Sequence, residues 1–113
     1  MTATISRDEI KALLDSAAPV TLIESLPEKY WKHSHLPGAL NIPHDRTREL
    51  APALLPDRDA FIVVYCANEP CKNSGIAAQE LSLMGYRNVH EYTGGKQDWV
   101  DAGYPVEKGR QAA

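Results

Sequence analysis

The sequence contains few cysteines, no cluster of basic residues and no long apolar run. Only 2 of its 113 residues are cysteine, too few for a disulfide-stabilised scaffold, so we expect them to be reactive or metal-binding. The 12 Lys and Arg residues against 15 Asp and Glu, a formal net charge of -3, argue against nucleic acid as a partner. No stretch approaches the roughly 20 apolar residues that cross a bilayer, and the first residues lack the pattern of a signal peptide. We therefore expect a cytoplasmic protein without a membrane partner.

The remaining composition, 43% hydrophobic, is typical of one globular domain, which we assign to residues 1–113 with a frayed tail at 107–113. Short apolar runs rich in β-branched residues predict strands at 20–23, 39–42, 61–65 and 89–92. Helical spacing of apolar residues predicts helices at 6–17, 74–84 and 96–102, a turn or two at 27–31, and a broken helix between 43 and 59.

This alternation of strands and helices predicts an α/β domain with a mainly parallel sheet. The run from Phe61 to Tyr65 is apolar throughout, as in strands buried on both faces, so we expect it to be the central strand. Ligands of such sheets bind beyond the carboxyl ends of the strands. Cys66 is the first residue after this run, which makes it the leading candidate for a functional residue.

Cys66 opens a loop into the predicted helix at 74–84, and the loop consists of Ala67, Asn68, Glu69, Pro70, Cys71, Lys72 and Asn73. A cysteine beside a helix N-terminus has its thiolate stabilised by partial positive charge and is nucleophilic at neutral pH. Backbone N–H groups of such a loop form a nest that can bind an oxyanion or a persulfide. Lys72 adds positive charge, whereas Glu69 would oppose an anion unless its side chain points to solvent.

Three segments of the chain resemble the rhodanese (sulfurtransferase) family. The first is His35-Leu36-Pro37-Gly38-Ala39-Leu40-Asn41-Ile42-Pro43, which is similar to an N-terminal signature of the family. The second is Val63-Val64-Tyr65-Cys66 followed by Ser74 and Ala77-Ala78, similar to the family's active-site strand, loop and helix. The third is Gly94-Gly95-Lys96-Gln97-Asp98-Trp99 with Ala102-Gly103-Tyr104-Pro105, similar to a C-terminal signature. The order of the three segments makes the resemblance specific.

The resemblance implies an α/β fold of about five mainly parallel strands, with helices on both faces. It also implies that Cys66 is a catalytic cysteine that carries sulfur as a persulfide. A small donor such as thiosulfate or another persulfide would supply the sulfane sulfur, and a thiophilic acceptor such as cyanide or a thiol would remove it. Neither half-reaction requires a metal or an organic cofactor, so we expect none.

Departures from the family pattern leave alternatives open. The loop after Cys66 is longer than in common single-domain members of the family. Related phosphatases and arsenate reductases also have an enlarged loop. In those enzymes, however, an arginine clamps the oxyanion through two hydrogen bonds, and Lys72 stands at that position here. Glu24-Ser25-Leu26 replaces the usual acidic, hydrophobic and arginine residues after the first strand, which puts an ion pair there in doubt.

Cys71 is either a packing residue or a resolving cysteine that attacks a Cys66 persulfide and leaves a disulfide for thioredoxin or glutathione to reduce. The alternatives to a sulfurtransferase are a two-cysteine redox or arsenate-reductase-type enzyme and a non-catalytic binding or regulatory module.

We expect several other polar residues to have structural rather than catalytic roles. Asn73 and Ser74 are read as caps of the main helix, and His35 as a residue that orders the Pro37-Gly38 turn by hydrogen bonding. Asp98 and Asp101 are read as a solvated face of the last helix. A zinc site built from histidines and the two cysteines is disfavoured, so no metal ligand is assigned.

Overall fold

The computed structural model describes residues 3–109, which form a five-stranded sheet with every pair of neighbouring strands parallel. The order across the sheet is β1-β5-β4-β2-β3. Its strands are β1 (Ala3–Thr4), β2 (Thr21–Glu24), β3 (Leu40–Asn41), β4 (Ile62–Tyr65) and β5 (Val89–Tyr92). The predicted α/β class with a mainly parallel sheet is confirmed, and β4 is the central strand as expected.

Five α-helices and one 3-10 turn connect the strands. They are α1 (Arg7–Asp15), α2 (Glu28–His33), the 3-10 turn His44–Arg46, α3 (Thr47–Leu54), α4 (Asn73–Leu83) and α5 (Gly95–Asp101). Ser6 caps α1 through the predicted capping box, because its hydroxyl accepts from the Glu9 N–H at 3.2 Å while the Glu9 carboxylate accepts from the Ser6 N–H at 3.0 Å. No helix within residues 3–109 is long and apolar enough to span a bilayer.

The sheet separates two hydrophobic clusters, which explains why all four residues of β4 are buried. Alternate strand residues point to opposite faces, so Ile62 and Val64 join Ala77, Ala78 and Leu81 of α4 in one cluster. Val63 and Tyr65 join Ile10 of α1 and Trp99 of α5 in the other cluster. The helices therefore cover both faces of the sheet, as predicted.

The segment 107–109 differs from the predicted frayed tail. His35 and Glu107 exchange two backbone hydrogen bonds of 2.9 and 2.8 Å, and the Gly109 N–H donates to the Lys32 carbonyl at 2.7 Å. These bonds hold the segment against the turn that follows α2, because they satisfy backbone groups on both sides. The rest of the predicted tail, 110–113, lies outside the described residues.

Candidate active site at the carboxyl end of the central strand

Cys66 lies directly after β4 and is 1% exposed. The first intrahelical hydrogen bond of α4 runs from Ile76 N–H to the Lys72 carbonyl, so the N–H groups before Ile76 have no partner within the helix. The Cys66 sulfur lies 3.6 Å from Ser74 Oγ in this first turn. Cys66 is thus at the positive end of the α4 dipole, where a thiolate or persulfide anion is stabilised.

The helix α5 holds the start of the Cys66 loop through backbone hydrogen bonds. The Lys96 N–H donates to the Cys66 carbonyl and the Gln97 N–H to the Ala67 carbonyl, both at 2.8 Å. Gly95 makes this approach possible, because a Cβ atom there would lie 2.7 Å from the Asn68 nitrogen. Its φ of +74° also lies in the left-handed region that favours glycine. The Gly94-Gly95 pair therefore belongs to the site by its backbone.

The predicted loop residues surround Cys66 with different exposure. Ala67, Cys71 and Asn73 are partly buried, whereas the exposed residues are Asn68, Glu69, Pro70 and Lys72. Glu69 and Lys72 form no ion pair within residues 3–109. Their opposite charges therefore both lie at the rim, where solvent screens them.

Cys71 is bonded to Cys66 in a disulfide, with the two Cα atoms 6.4 Å apart. The loop turns back on itself between them, since the Cys71 N–H donates to the Asn68 carbonyl at 3.1 Å. Cys71 therefore lies within bonding distance of Cys66.

The segment Glu24-Ser25-Leu26, which departs from the family pattern, still takes part in an ion pair. Glu24 is completely buried, and Lys96 Nζ lies 3.0 Å from Glu24 Oε2. Lys96 also donates to the carbonyls of Tyr30 and Ser34, at 3.1 and 2.6 Å. Burial raises the pKa of Glu24, and the Lys96 ammonium opposes that rise. The ion pair that was in doubt is present, and Lys96 of α5 supplies its cation.

Tyr65 connects this ion pair to the strand that carries Cys66. Its hydroxyl donates to Glu24 Oε1 at 2.8 Å and accepts from the Leu36 N–H at 3.0 Å. Burial raises the pKa of Tyr65 well above its usual value, so the phenol remains a neutral donor. The carboxylate therefore has both a cation and a neutral donor, which a buried charge requires.

Ser74 and Glu91 form a second polar contact beside Cys66. Ser74 is 2% exposed and its hydroxyl donates to Glu91 Oε2 at 2.9 Å. The predicted capping role of Asn73 and Ser74 is wrong, because Lys72 is the N-cap residue of α4 and no side chain caps the helix. Ser74 lies inside the helix with its hydroxyl towards Cys66 and β5.

Sequence reasoning missed Glu24, Lys96 and Glu91 as site residues. A signal was present, because Glu91 lies within a predicted strand and Glu24 directly follows one, in a sheet expected to be covered on both faces. Carboxylates are rarely buried without partners. Lys96, directly after the Gly94-Gly95 pair, carried no comparable signal.

Two other interpretations need correction. Asp98 is not part of a solvated face: it accepts from Arg7 Nη1 at 2.7 Å and from the Tyr92 hydroxyl at 2.6 Å. Burial and the neighbouring Asp98 raise the pKa of Tyr92. Asp101 is exposed, as predicted.

The His35 ring does not hydrogen-bond to the turn directly, but its Nε2 lies 3.7 Å from the Glu107 carboxylate that does. Its Nδ1 lies 2.8 Å from the Trp31 carbonyl, and the ring stacks on Trp31 at 4.3 Å between centroids. The Glu107 carboxylate instead accepts from the Gly38 N–H of the turn, at 2.9 Å. Within residues 3–109 no three His, Cys, Asp or Glu side chains are grouped to hold a metal ion.

Comparisons with known proteins define the class to which this fold and site belong. The model of the rhodanese-like domain matches residues 6–102, and the chain belongs to this family. The HTH-type transcriptional regulator Rv0324 of Mycobacterium tuberculosis is 34% identical over 93 residues, which cover 82% of this chain and 40% of that protein. The thiosulfate sulfurtransferase PspE of Escherichia coli is 38% identical over 73 residues, 65% of this chain and 66% of PspE.

The crystal structure of a thiosulfate sulfurtransferase from Pseudomonas aeruginosa has the same fold. It superposes with a TM-score of 0.84 at 28% identity, covering 95% of this chain and 20% of that one. The chain therefore spans less than half the length of this protein and of the transcriptional regulator. Relatives named as sulfurtransferases support a sulfurtransferase at the level of the family.

Proposed function

We propose that this protein is a sulfurtransferase that carries sulfane sulfur on Cys66. The observation that carries the proposal is the position of Cys66, buried at the carboxyl end of the central strand and 3.6 Å from Ser74 in the first turn of α4. An anion on this sulfur is stabilised by the helix dipole and by nearby backbone N–H groups. The loop from Ala67 to Asn73 binds the sulfur anion and the donor, and Lys72 assists electrostatically.

The reaction has two displacement steps on sulfur. The Cys66 thiolate attacks the outer sulfur of thiosulfate, the S–S bond of thiosulfate breaks, and sulfite leaves with the bonding electron pair. A thiophilic acceptor such as cyanide then attacks the outer sulfur of the Cys66 persulfide, and thiocyanate leaves while the thiolate is regenerated. Covalent catalysis of this kind divides one transfer into two simpler steps. A persulfide of a small thiol is an equivalent donor.

The disulfide between Cys66 and Cys71 supports a second candidate, a two-cysteine redox or arsenate-reductase-type enzyme. The Cys71 thiolate would attack the inner sulfur of a Cys66 persulfide, and sulfide would leave with the electron pair. A dithiol such as reduced thioredoxin, or glutathione, would then reduce the Cys66–Cys71 disulfide.

The test is the intact mass of the reduced protein after brief incubation with thiosulfate or with glutathione persulfide, followed by fragmentation to locate the added sulfur. We expect a gain of one sulfur on Cys66, none in Cys66→Ser, and a persistent persulfide in Cys71→Ser. A wild-type protein that returns to the disulfide while releasing sulfide supports the second candidate. An unchanged mass with both donors refutes both candidates and favours a binding module.

A further inference from the structure

Two polar side chains lead away from the Cys66 sulfur towards β5. Ser74 Oγ lies 3.6 Å from this sulfur and donates to Glu91 Oε2 at 2.9 Å. An ionised carboxylate only accepts hydrogen bonds, so the serine proton is on the Glu91 side and the serine lone pairs are free for another donor. In the reduced protein the Cys66 thiol can be that donor.

The surroundings of Glu91 leave its charge without a counter-ion. No Lys, Arg or His side chain within residues 3–109 forms an ion pair with it. Cys66 and Ser74 are buried and Glu91 is partly buried, so the negative charge of Glu91, one hydroxyl away from the sulfur, opposes the formation of a thiolate at Cys66. Moving one proton from Cys66 to Glu91 avoids this conflict, because the total charge stays the same.

We propose that Ser74 and Glu91 form a proton relay that activates Cys66. The Cys66 thiol transfers its proton to Ser74 Oγ while the Ser74 hydroxyl proton moves to Glu91 Oε2. The products are a Cys66 thiolate, an intact serine hydroxyl that now donates to it, and a neutral Glu91 carboxyl group. Ser74 contacts the reacting sulfur, whereas Glu91 is a positioning residue that acts through Ser74. The inference rests on the proposed function.

The relay affects the two half-reactions differently. Sulfur uptake by the resting enzyme begins from a thiol, so it requires removal of the Cys66 proton. Sulfur discharge begins from the persulfide and ends at a thiolate, and no thiol proton has to be removed. Loss of the relay therefore slows uptake and spares discharge, whereas a general distortion of the loop would slow both.

The experiment measures the two half-reactions in single turnovers, with every protein carrying Cys71→Ser so that only one thiol reacts. Uptake from excess thiosulfate is followed by intact mass, and discharge from the loaded protein by thiocyanate formed with cyanide. The variants are Ser74→Ala, Ser74→Thr and Glu91→Gln. Glu80→Gln is the control, because it removes a carboxylate of α4 that pairs with Arg48 on the surface. Alkylation of Cys66 by iodoacetamide reports thiolate formation independently.

We expect Ser74→Ala and Glu91→Gln to slow uptake and alkylation by about 10-fold or more, within the range of proton-transfer catalysis, with discharge changed less than about 2-fold. Ser74→Thr keeps the hydroxyl and should recover most of the uptake rate, and Glu80→Gln should match the parent. Unchanged uptake in Ser74→Ala and Glu91→Gln, or equal slowing of both half-reactions, overturns the relay. A parent protein that takes up no sulfur refutes the proposed function itself.

Discussion

Replacing Lys96 with methionine tests whether the buried Glu24–Lys96 pair holds the region that supports Cys66. Lys96 Nζ lies 3.0 Å from Glu24 Oε2, and the two side chains are 13% and 0% exposed. Methionine keeps much of the length of the lysine side chain but removes its charge and its hydrogen bonds. The substitution leaves the Glu24 carboxylate buried, with the Tyr65 hydroxyl as its remaining side-chain donor.

The expected loss is large because a buried charge loses its partner. At 3.0 Å and an effective dielectric constant of roughly 20, the attraction between the two charges is about 5 kcal/mol. Removing one partner of a buried ion pair typically lowers the free energy of unfolding by about 3–5 kcal/mol. The free energy of unfolding of Lys96→Met should therefore fall by about 3 kcal/mol or more at pH 7, which is a large part of the total for a domain of this size.

The loss in free energy of unfolding caused by Lys96→Met should increase with pH. Burial already raises the pKa of Glu24, and Lys96 opposes that rise, so the pKa should rise further without the lysine. A carboxyl group whose pKa is higher in the folded protein than in the unfolded chain stabilises the fold at pH values below its unfolded-state pKa. That stabilisation is lost as the pH rises through its folded-state pKa. The difference between the variant and the wild type should therefore be smallest near pH 4, close to the unfolded pKa of glutamate, and increase towards pH 7.

Urea denaturation at several pH values, followed by circular dichroism, measures these free energies. In the double variant Glu24→Gln, Lys96→Met the buried charge is gone, and we expect at least about 2 kcal/mol to be recovered at pH 7. Lys11→Met is the control, because Lys11 pairs at 2.8 Å with Asp15, whose side chain is 63% exposed; its loss should be below about 0.5 kcal/mol. A Lys96→Met deficit below about 1 kcal/mol that does not change with pH would refute the reasoning.

Two further substitutions test the packing around the loop and the core, and a third is the control for the first. Gly95→Ala should lower the free energy of unfolding by at least about 2 kcal/mol and slow sulfur uptake, since its Cβ would lie 2.7 Å from Asn68 N. The control Gly38→Ala, with a similar φ of +75° but nothing within 4 Å of its Cβ, should cost only about 1 kcal/mol in the same urea denaturation experiments. Tyr86→Phe should cost about 1–2 kcal/mol in urea, because its hydroxyl donates to the Leu55 carbonyl at 2.6 Å; no loss would contradict that bond.

The fold was largely predictable because its strands follow from local patterns. The apolar run 61–65 overlaps β4, and the predicted strand at 89–92 matches β5. The exception is β1, which residue patterns did not indicate. Its two residues are exposed and it joins the sheet by pairing with β5, and an edge strand held mainly by backbone hydrogen bonds has no side-chain pattern to detect.

The site was predictable only where its parts are close together in the chain. Cys66 follows the central strand directly and the loop then enters α4, so chain order alone brings them together. Lys96, in contrast, lies on α5 and contacts Glu24 across a sequence separation of 72 residues. A polar contact between residues so far apart depends on register and packing, which propensity and spacing do not encode.

The register of the sheet separates two carboxylates that the sequence does not distinguish. Glu24 pairs with Tyr65 and Glu91 pairs with Val64, so the two acids flank adjacent residues of β4 and lie on opposite faces of the sheet. Lys96 neutralises Glu24, whereas Glu91 has only the neutral Ser74 hydroxyl as a side-chain partner within residues 3–109. Lys96 holds Glu24 in place on one face, whereas Glu91 reaches the Cys66 sulfur through Ser74 on the other. Of the two, therefore, Glu91 is the one suited to the relay and Glu24 to support.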